Sequence, residues 1–185
     1  RLWYRHDLAL AEHVAGRTEA AVVGFEEMLD DAMAAGNPQE VARAHFWLGL
    51  LARRSGEHHR AEHHLHTAVD LQDRHGFRQM AASTVEAIAG IELDHGRPAV
   101  AVRLLGSAAA VRAEAGVTFR LGWQADHETD LDRARGELDE SSFTREWQRG
   151  TDLRLADAVE LAGRGRGERR RPTFGWDSLT ATDRK

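Results

Sequence analysis

The chain contains no cysteine, only three prolines and a single lysine in 185 residues. The lack of cysteine excludes disulfides and any metal site or nucleophile that needs a thiolate, and it fits a reducing compartment. No run of about 18 apolar residues predicts a membrane-spanning helix, and no secretory signal is recognisable. Because few residues interrupt a helix, we expect a helical protein. The missing cysteines, apolar run and signal lead us to expect that it is cytoplasmic and does not engage a membrane.

Catalytic patterns are missing as well. The sequence has no glycine-rich phosphate loop with its lysine, no H-E-x-x-H and no G-x-S-x-G. Carboxylates such as Glu26, Glu27 and Asp30 form charge runs that are typical of solvated helix surfaces. The net charge of −5 gives no reason to expect nucleic acid over the whole surface. We therefore predict a protein that binds rather than catalyses, with no cofactor.

The sequence repeats itself with a period of 40 residues. Each copy has a glycine, then an alanine five residues later and apolar residues four and seven positions further on. The copies are Gly16–Ala21–Phe25–Met28, Gly56–Ala61–Leu65–Ala68 and Gly96–Ala101–Leu105–Ala108. Glycine suits a turn between helices, and the apolar residues share one helical face. No single helix pair buries both of its faces, so the pattern predicts an all-α solenoid of antiparallel helix pairs.

Capping signals place six helices in this region. The predicted helices cover residues 2–14, 18–35, 38–54, 57–75, 77–94 and 98–115. Asn37 followed by Pro38 and Glu40 has the residue types of a cap, a first helical position and an acidic first turn. Thr18 is the predicted cap of the second helix.

Residues 1–115 resemble the tetratricopeptide repeat family. The middle copy carries the residues of that family's consensus, namely Leu48, Gly49, Gly56, Ala61, Leu65 and Ala68. His45 and Ala52 stand where the family usually has Trp and Tyr, and the period is longer than usual. The resemblance implies a concave groove lined by the first helix of each pair. Its residues here would be Trp3, His6, His13, Arg43, Phe46, Arg53, Arg54, Ser83, Glu86 and Asp94.

Arginines beside aromatic residues suit a peptide carboxylate, so this groove is the predicted site for a protein segment or a small effector. The alternative is that Trp3 and Phe46 belong to the core and that the arginines are ordinary surface residues.

A histidine-rich segment follows Gly56. On a helix His59, His63 and His66 lie within about 60° of one another, which would suit zinc or nickel. The alternative is a solvated outer face, because Ala61 and Leu65 point the other way. The sequence favours that alternative, and no metal is assigned.

The remaining chain divides by composition. Residues 116–162 are predicted capping helices that bury Phe143 and Trp147 against the open end of the stack. Residues 163–177 form a predicted disordered basic linker, and 178–185 read as the start of another helical domain. Arg169, Arg170 and Arg171 could contact DNA phosphate, but a solvated linker is the favoured interpretation.

The second half also resembles large LuxR-type transcriptional regulators. The residues that carry this resemblance are Leu104–Ala108, Phe143, Trp147, Gly150 and Val159, then Phe174, Gly175, Trp176, Leu179 and Thr180. Ala181 and Asp183 replace the family's usual Pro and Glu. The resemblance implies a regulatory module in front of a helix-turn-helix domain. Separately, Arg1 falls inside an amphipathic pattern, so we expect further sequence before it. DNA would be contacted only by that further domain. The alternative is a free-standing adaptor with no DNA-binding function.

Overall fold

The computed structural model describes residues 2–116 and 123–164, with side chains from residue 4 onward. Within these ranges the chain is all-helical and contains no strand. The helices are α1 (Leu2–Val14), α2 (Thr18–Ala34), α3 (Pro38–Arg54), α4 (His58–Arg74), α5 (Arg78–Asp94), α6 (Pro98–Ala115), α7 (Gln124–Glu137), α8 (Glu140–Thr151) and α9 (Leu155–Arg164). No described helix has the length and apolarity that crossing a bilayer requires. The predicted tail beyond residue 164 lies outside the described ranges.

A glycine with positive φ follows each of the helices α1 to α6. These glycines are spaced 20 residues apart, at Gly16, Gly36, Gly56, Gly76, Gly96 and Gly116, with φ between 60° and 77°. At the first turn the Gly16 amide donates to the carbonyl of His13 at 3.0 Å, and the Arg17 amide to that of Glu12 at 2.9 Å. Hydrogen bonds of this kind end a helix where a side chain would be strained. The 40-residue repeat of the sequence therefore spans two helices.

Of the two predicted helix caps, one is present in the structure and the other is not. Asn37 caps α3, and its side chain accepts a hydrogen bond from the Glu40 amide at 3.2 Å. The prediction for Thr18 is wrong, because Arg17 is the capping residue of α2 and Thr18 lies inside the helix. The backbone bond of Arg17 to Glu12 already closes the turn, so the helix begins directly after it.

The core lies where consecutive helices pack against each other. Ala21, Ala61 and Ala101 are fully buried, which confirms the burial that the repeat predicts at these positions. Phe25 is also fully buried, and its ring stacks on Trp47 of α3 with the ring centroids 5.6 Å apart. Burial of one such side chain stabilises the fold by about 2 kcal/mol.

The three C-terminal helices do not share one location. α8 packs on α6, and a Cβ atom added at Gly106 would lie 2.6 Å from the carbonyl oxygen of Trp147. Phe143 and Trp147 are half-buried there and pack against the core, whereas the sequence predicted them to be buried. α9 packs against α4, α5 and α6 and continues to Arg164, past the predicted boundary at 163. α7 instead packs against α5 and α6 and reaches residues of α3.

Candidate functional site

The helix α7 lies on the surface that was predicted to form the partner groove. We call this the α7-binding surface and define it by Phe46, Arg53, Arg54, Glu86 and Asp94. Moving along α7, His127 contacts Glu86, then Asp130 approaches Gly90, then Arg133 bonds Asp94. α7 therefore runs in the same direction as α5, with its polar side chains facing the predicted groove residues.

Arg53 is the centre of this contact. Its two terminal nitrogens each donate to one carboxylate oxygen of Asp130 at 2.7 Å, a bidentate pair. Its Nε donates to Asp94 at 2.7 Å. Arg133 of α7 completes the network by donating to Asp94 at 2.8 Å and to the carbonyl of Leu93 at 2.7 Å. A planar guanidinium suits two carboxylates in this way because it has five donors in a fixed plane.

The two carboxylates around Arg53 differ in their protonation energetics. Burial raises the pKa of Asp130 above its ordinary value, and the hydrogen bonds from Arg53 offset that rise only in part. Burial also acts to raise the pKa of Asp94, but the hydrogen bonds from Arg53 and Arg133 outweigh it and the pKa is lowered. The nearby carboxylates of Asp94 and Asp126 also act to raise the pKa of Asp130.

Gly90 of α5 makes room for this pair. A Cβ atom built at Gly90 would overlap both the Arg53 guanidinium and the Asp130 carboxylate. A glycine inside a helix costs about 1 kcal/mol relative to alanine. Its presence in α5 is explained by the close approach of these two side chains.

A second arginine binds a second carboxylate one turn earlier in α7. Arg54 donates to Asp126 through Nη2 at 2.6 Å and through Nε at 3.1 Å. Its Nη1 also donates to Nε2 of His13 at 2.7 Å, which links α1 to the same network. Because Asp126 and Asp130 are four residues apart, both lie on the face of α7 that meets α3.

The surface also includes a buried acid and an aromatic contact. Glu86 is 2% exposed and accepts a hydrogen bond from Arg112 of α6 at 2.6 Å, while Nδ1 of His127 of α7 lies against its other oxygen. At the start of α7, Trp123 is buried and meets Phe46 edge-to-face with the ring centroids 5.0 Å apart. Arg53, Arg54, Glu86 and Phe46 thus all contact the segment that begins at Trp123.

Other predicted groove residues lie elsewhere. His6 is buried against Phe25 and Trp47 in the core. Arg43 is buried and pairs with Glu40 of its own helix at 3.2 Å. The hydroxyl of Ser83 donates to a carbonyl one turn back in α5. Trp3 belongs to α1, but its side chain lies outside the described part of the chain. Arg169, Arg170 and Arg171 also lie outside the described residues.

The three histidines that were considered as metal ligands do not share one environment. His59 and His63 are exposed, whereas His66 is buried. Among the described residues no group of three or more potential ligands has a metal-binding arrangement. His66 is drawn into the core because α4 packs on both α3 and α5, which leaves no single solvated face of histidines.

A different histidine pair joins α3 to α4. The Nδ1 atoms of His45 and His64 lie 2.9 Å apart, and the ring of His63 is close to both. Burial lowers the pKa of His64 to about 4, with smaller effects from His45, His63 and Arg60. Burial also lowers the pKa of His45, followed by the effect of His63. One neutral ring donates and the other accepts, so the pair acts as a hydrogen-bonded contact between the helices.

The sequence analysis did not single out Asp126, His127, Asp130 or Arg133. Their signal is the spacing of Asp126 and Asp130, which puts two carboxylates on one helical face and complements the consecutive arginines of α3. That signal is ambiguous by itself, because Glu128 and Asp132 give the same spacing on another face.

Comparison with known proteins identifies relatives among bacterial regulators. Proteins from Mycobacterium bovis and Mycobacterium tuberculosis, each carrying the name "Putative HTH-type transcriptional regulator", are 35% identical to the chain over 135 residues. The matched stretch covers 72% of this chain but 15% of each relative, so the chain spans only a small part of their length. No protein-family model matches the chain, and no solved structure matches it. The similarity supports a regulatory role.

Proposed function

We propose that the chain is a regulatory, protein-interaction module of a LuxR-type transcriptional regulator. It binds a partner or effector and relays that event to an adjoining DNA-binding domain. The observation that carries this proposal is the similarity to proteins named as HTH-type transcriptional regulators, combined with an arginine-rich surface that holds carboxylates. In this proposal the module binds and relays, and it performs no catalytic step.

The proposed architecture is a tetratricopeptide-like stack in which α1–α2, α3–α4 and α5–α6 are three antiparallel pairs. The support comes from the glycine turns at 20-residue spacing and from the burial of equivalent residues 40 positions apart. The first helices of these pairs contribute His13, Arg54 and Glu86 to one network with α7. Repeat stacks bind partners along such shared faces because neighbouring units place side chains in register.

The charges of the described helices are the reason to assign DNA contact to another domain. Within the described residues, arginines such as Arg53, Arg103 and Arg112 are paired with carboxylates of the same chain. We therefore assign DNA contact to a further domain, with residues 165–177 as the connecting linker after α9 and 178–185 as the start of that domain. A partner bound to α1–α9 would change how that domain is presented, as a shift between two populations.

Two sets of measurements test this proposal, one on residues 1–185 and one on the parent protein. Residues 1–185 should show a helical circular-dichroism spectrum and bind promoter DNA no more tightly than a scrambled duplex of equal length. In the parent protein, removing residues 2–164 should leave operator binding in place and make a transcriptional reporter insensitive to the inducing condition. Sequence-selective DNA binding by residues 1–185 alone would contradict the proposal. An unchanged reporter response after the deletion would favour an adaptor role that is separate from DNA.

A further inference from the structure

Most of the side chains that join α7 to α3 and α5 are polar or charged. Along α7 only Asp130 and Ala134 are buried, and the neighbouring Trp123 adds one buried aromatic ring. Leu131 also packs in part against the core, and the other contacts to α3 and α5 are made by the polar side chains of Asp126, His127, Asp130 and Arg133. By contrast, the backbones of α6 and α8 are in direct contact at Gly106 and Gly150. A partner helix could approach α6 this closely only if it also carried a glycine at that position. α7 therefore has a small apolar contact and a specific polar one.

The polar contact defines what the surface recognises. Arg54 and Arg53 take carboxylates at two helix positions four residues apart. Glu86 takes a basic or histidine side chain one residue after the first carboxylate, at the position of His127. Phe46 takes an aromatic ring three residues before the first carboxylate, at the position of Trp123. These features describe an acidic helix with an aromatic residue at its start.

We propose that the α7-binding surface is a docking site for an acidic helix, which α7 fills as an internal ligand and which a partner protein's helix occupies when α7 leaves. This proposal rests on the proposed function, since it identifies the kind of partner that the module binds. The occupant is a helical protein segment with carboxylates at positions i and i+4, an aromatic residue at i−3 and a histidine or basic residue at i+1.

The burial of Asp130 favours displacement. Packing of α7 removes Asp130 from water, and the raised pKa of that carboxylate means that its ionised form gives up hydration in the docked state. The cost is regained when α7 is released, so the net stability of docking is smaller than the number of ion pairs suggests. A tethered helix nevertheless competes strongly, because attachment to the same chain gives it an effective concentration in the millimolar range.

The test uses a fluorescent peptide with the sequence of residues 123–138 and measures its anisotropy with the complete chain. The release variant Asp126→Asn/Asp130→Asn removes the two carboxylates that meet the arginines. The matched control Glu128→Gln/Asp132→Asn removes the same charge from the same helix. These two side chains instead pair with Gln124 and Arg135 of α7 itself. We expect the peptide to bind the release variant at least ~10-fold more tightly than wild type or the control.

Peptide variants give the reciprocal comparison. The peptide with Asn at both 126 and 130 should lose at least ~10-fold in affinity for the release variant, whereas the peptide with the Glu128 and Asp132 changes should bind as the parent peptide does. Adding Arg53→Met to the release variant should weaken the parent peptide by a similar factor. Equal binding by the two peptide variants, or equal binding to all forms of the chain, would overturn the proposal.

A second measurement does not depend on the variants' folding. Hydrogen exchange of the wild-type chain should show the amides of α7 exchanging at least ~10-fold faster than those of α5, with a larger difference at high salt. Equal protection of α7 and α5 would overturn the proposal. The reporter experiment is independent of both measurements. If the deletion of residues 2–164 abolishes the response but the docking tests fail, the chain is regulatory and its partner binds elsewhere. If the deletion has no effect, the proposed function itself fails.

Discussion

Mild acid should destabilise the contact between α3 and α4 through the His45–His64 pair. The pKa of His64 is lowered to about 4 in the folded chain, mainly by burial, whereas an unfolded histidine has a pKa of about 6.5. Between these values the unfolded chain binds a proton that the folded chain does not. Stability is therefore complete above the unfolded pKa and falls as the pH drops towards the folded pKa, below which no further loss occurs.

The expected magnitude follows from the same two values. Lowering the pH from 7.5 to 5 costs about 2 kcal/mol if the whole shift acts on the folding equilibrium. His64 is half-buried, and solvent screening reduces the expected loss to about 1 kcal/mol. Protonation of His45, whose pKa is also lowered, acts in the same direction. A loss of this size shifts the midpoint of thermal unfolding by roughly 2–4 °C in a chain of this length.

The assay is urea unfolding followed by circular dichroism at pH 7.5 and at pH 5. The double variant His45→Gln/His64→Gln should lose about 1 kcal/mol less than wild type between the two conditions. His59→Gln is the matched control, because His59 lies on the same helix and is exposed. The reasoning is refuted if wild type and the double variant lose the same free energy of unfolding between these two pH values.

Three further tests, of two packing contacts and one helix cap, use thermal unfolding. Gly106→Ala should lower stability by about 2–4 kcal/mol, because its methyl group would meet the α8 backbone; an unchanged melting temperature would contradict that contact. Leu48→Glu should cost more than about 3 kcal/mol and Leu8→Glu less than about 1 kcal/mol. The two leucines are 40 positions apart, but Leu48 is 3% exposed and Leu8 is 49% exposed. Similar losses would contradict this difference in burial. Asn37→Ala should cost about 1 kcal/mol through the lost cap, and a loss no larger than that of Thr18→Ala would argue against the cap.

The resemblance residues gain a physical meaning from the packing of α8. Gly106 and Gly150 are among the residues from which we expected a LuxR-type regulator, and in the structure they face each other where α6 crosses α8. Their spacing in the sequence does not reveal this contact, because 44 residues separate them. Residues singled out in the sequence can therefore mark a helix crossing as well as a binding site.

The sequence by itself determined the helices and the repeat. α1, α3 and α6 begin and end where the sequence predicts, and Ala21 and Ala61 are buried as the 40-residue pattern requires. These features depend on local causes: a glycine tolerates positive φ, an Asn side chain caps an amide, and apolar residues three and four apart share a face. Each acts over a few residues, so it can be recognised without knowing the fold.

Only the tertiary structure decided which helix meets which surface. Arg53 bonds Asp130 across 77 positions of sequence, and nothing local to either residue selects that partner over Glu128 or Asp132. The pairing of Arg53 with Asp130 depends on the position of α7, which the packing of the preceding helices sets. It also depends on the space that Gly90 leaves for the two side chains. The arginines that the sequence offered to an outside carboxylate therefore bind carboxylates of the same chain, because a tethered helix reaches them at a far higher effective concentration.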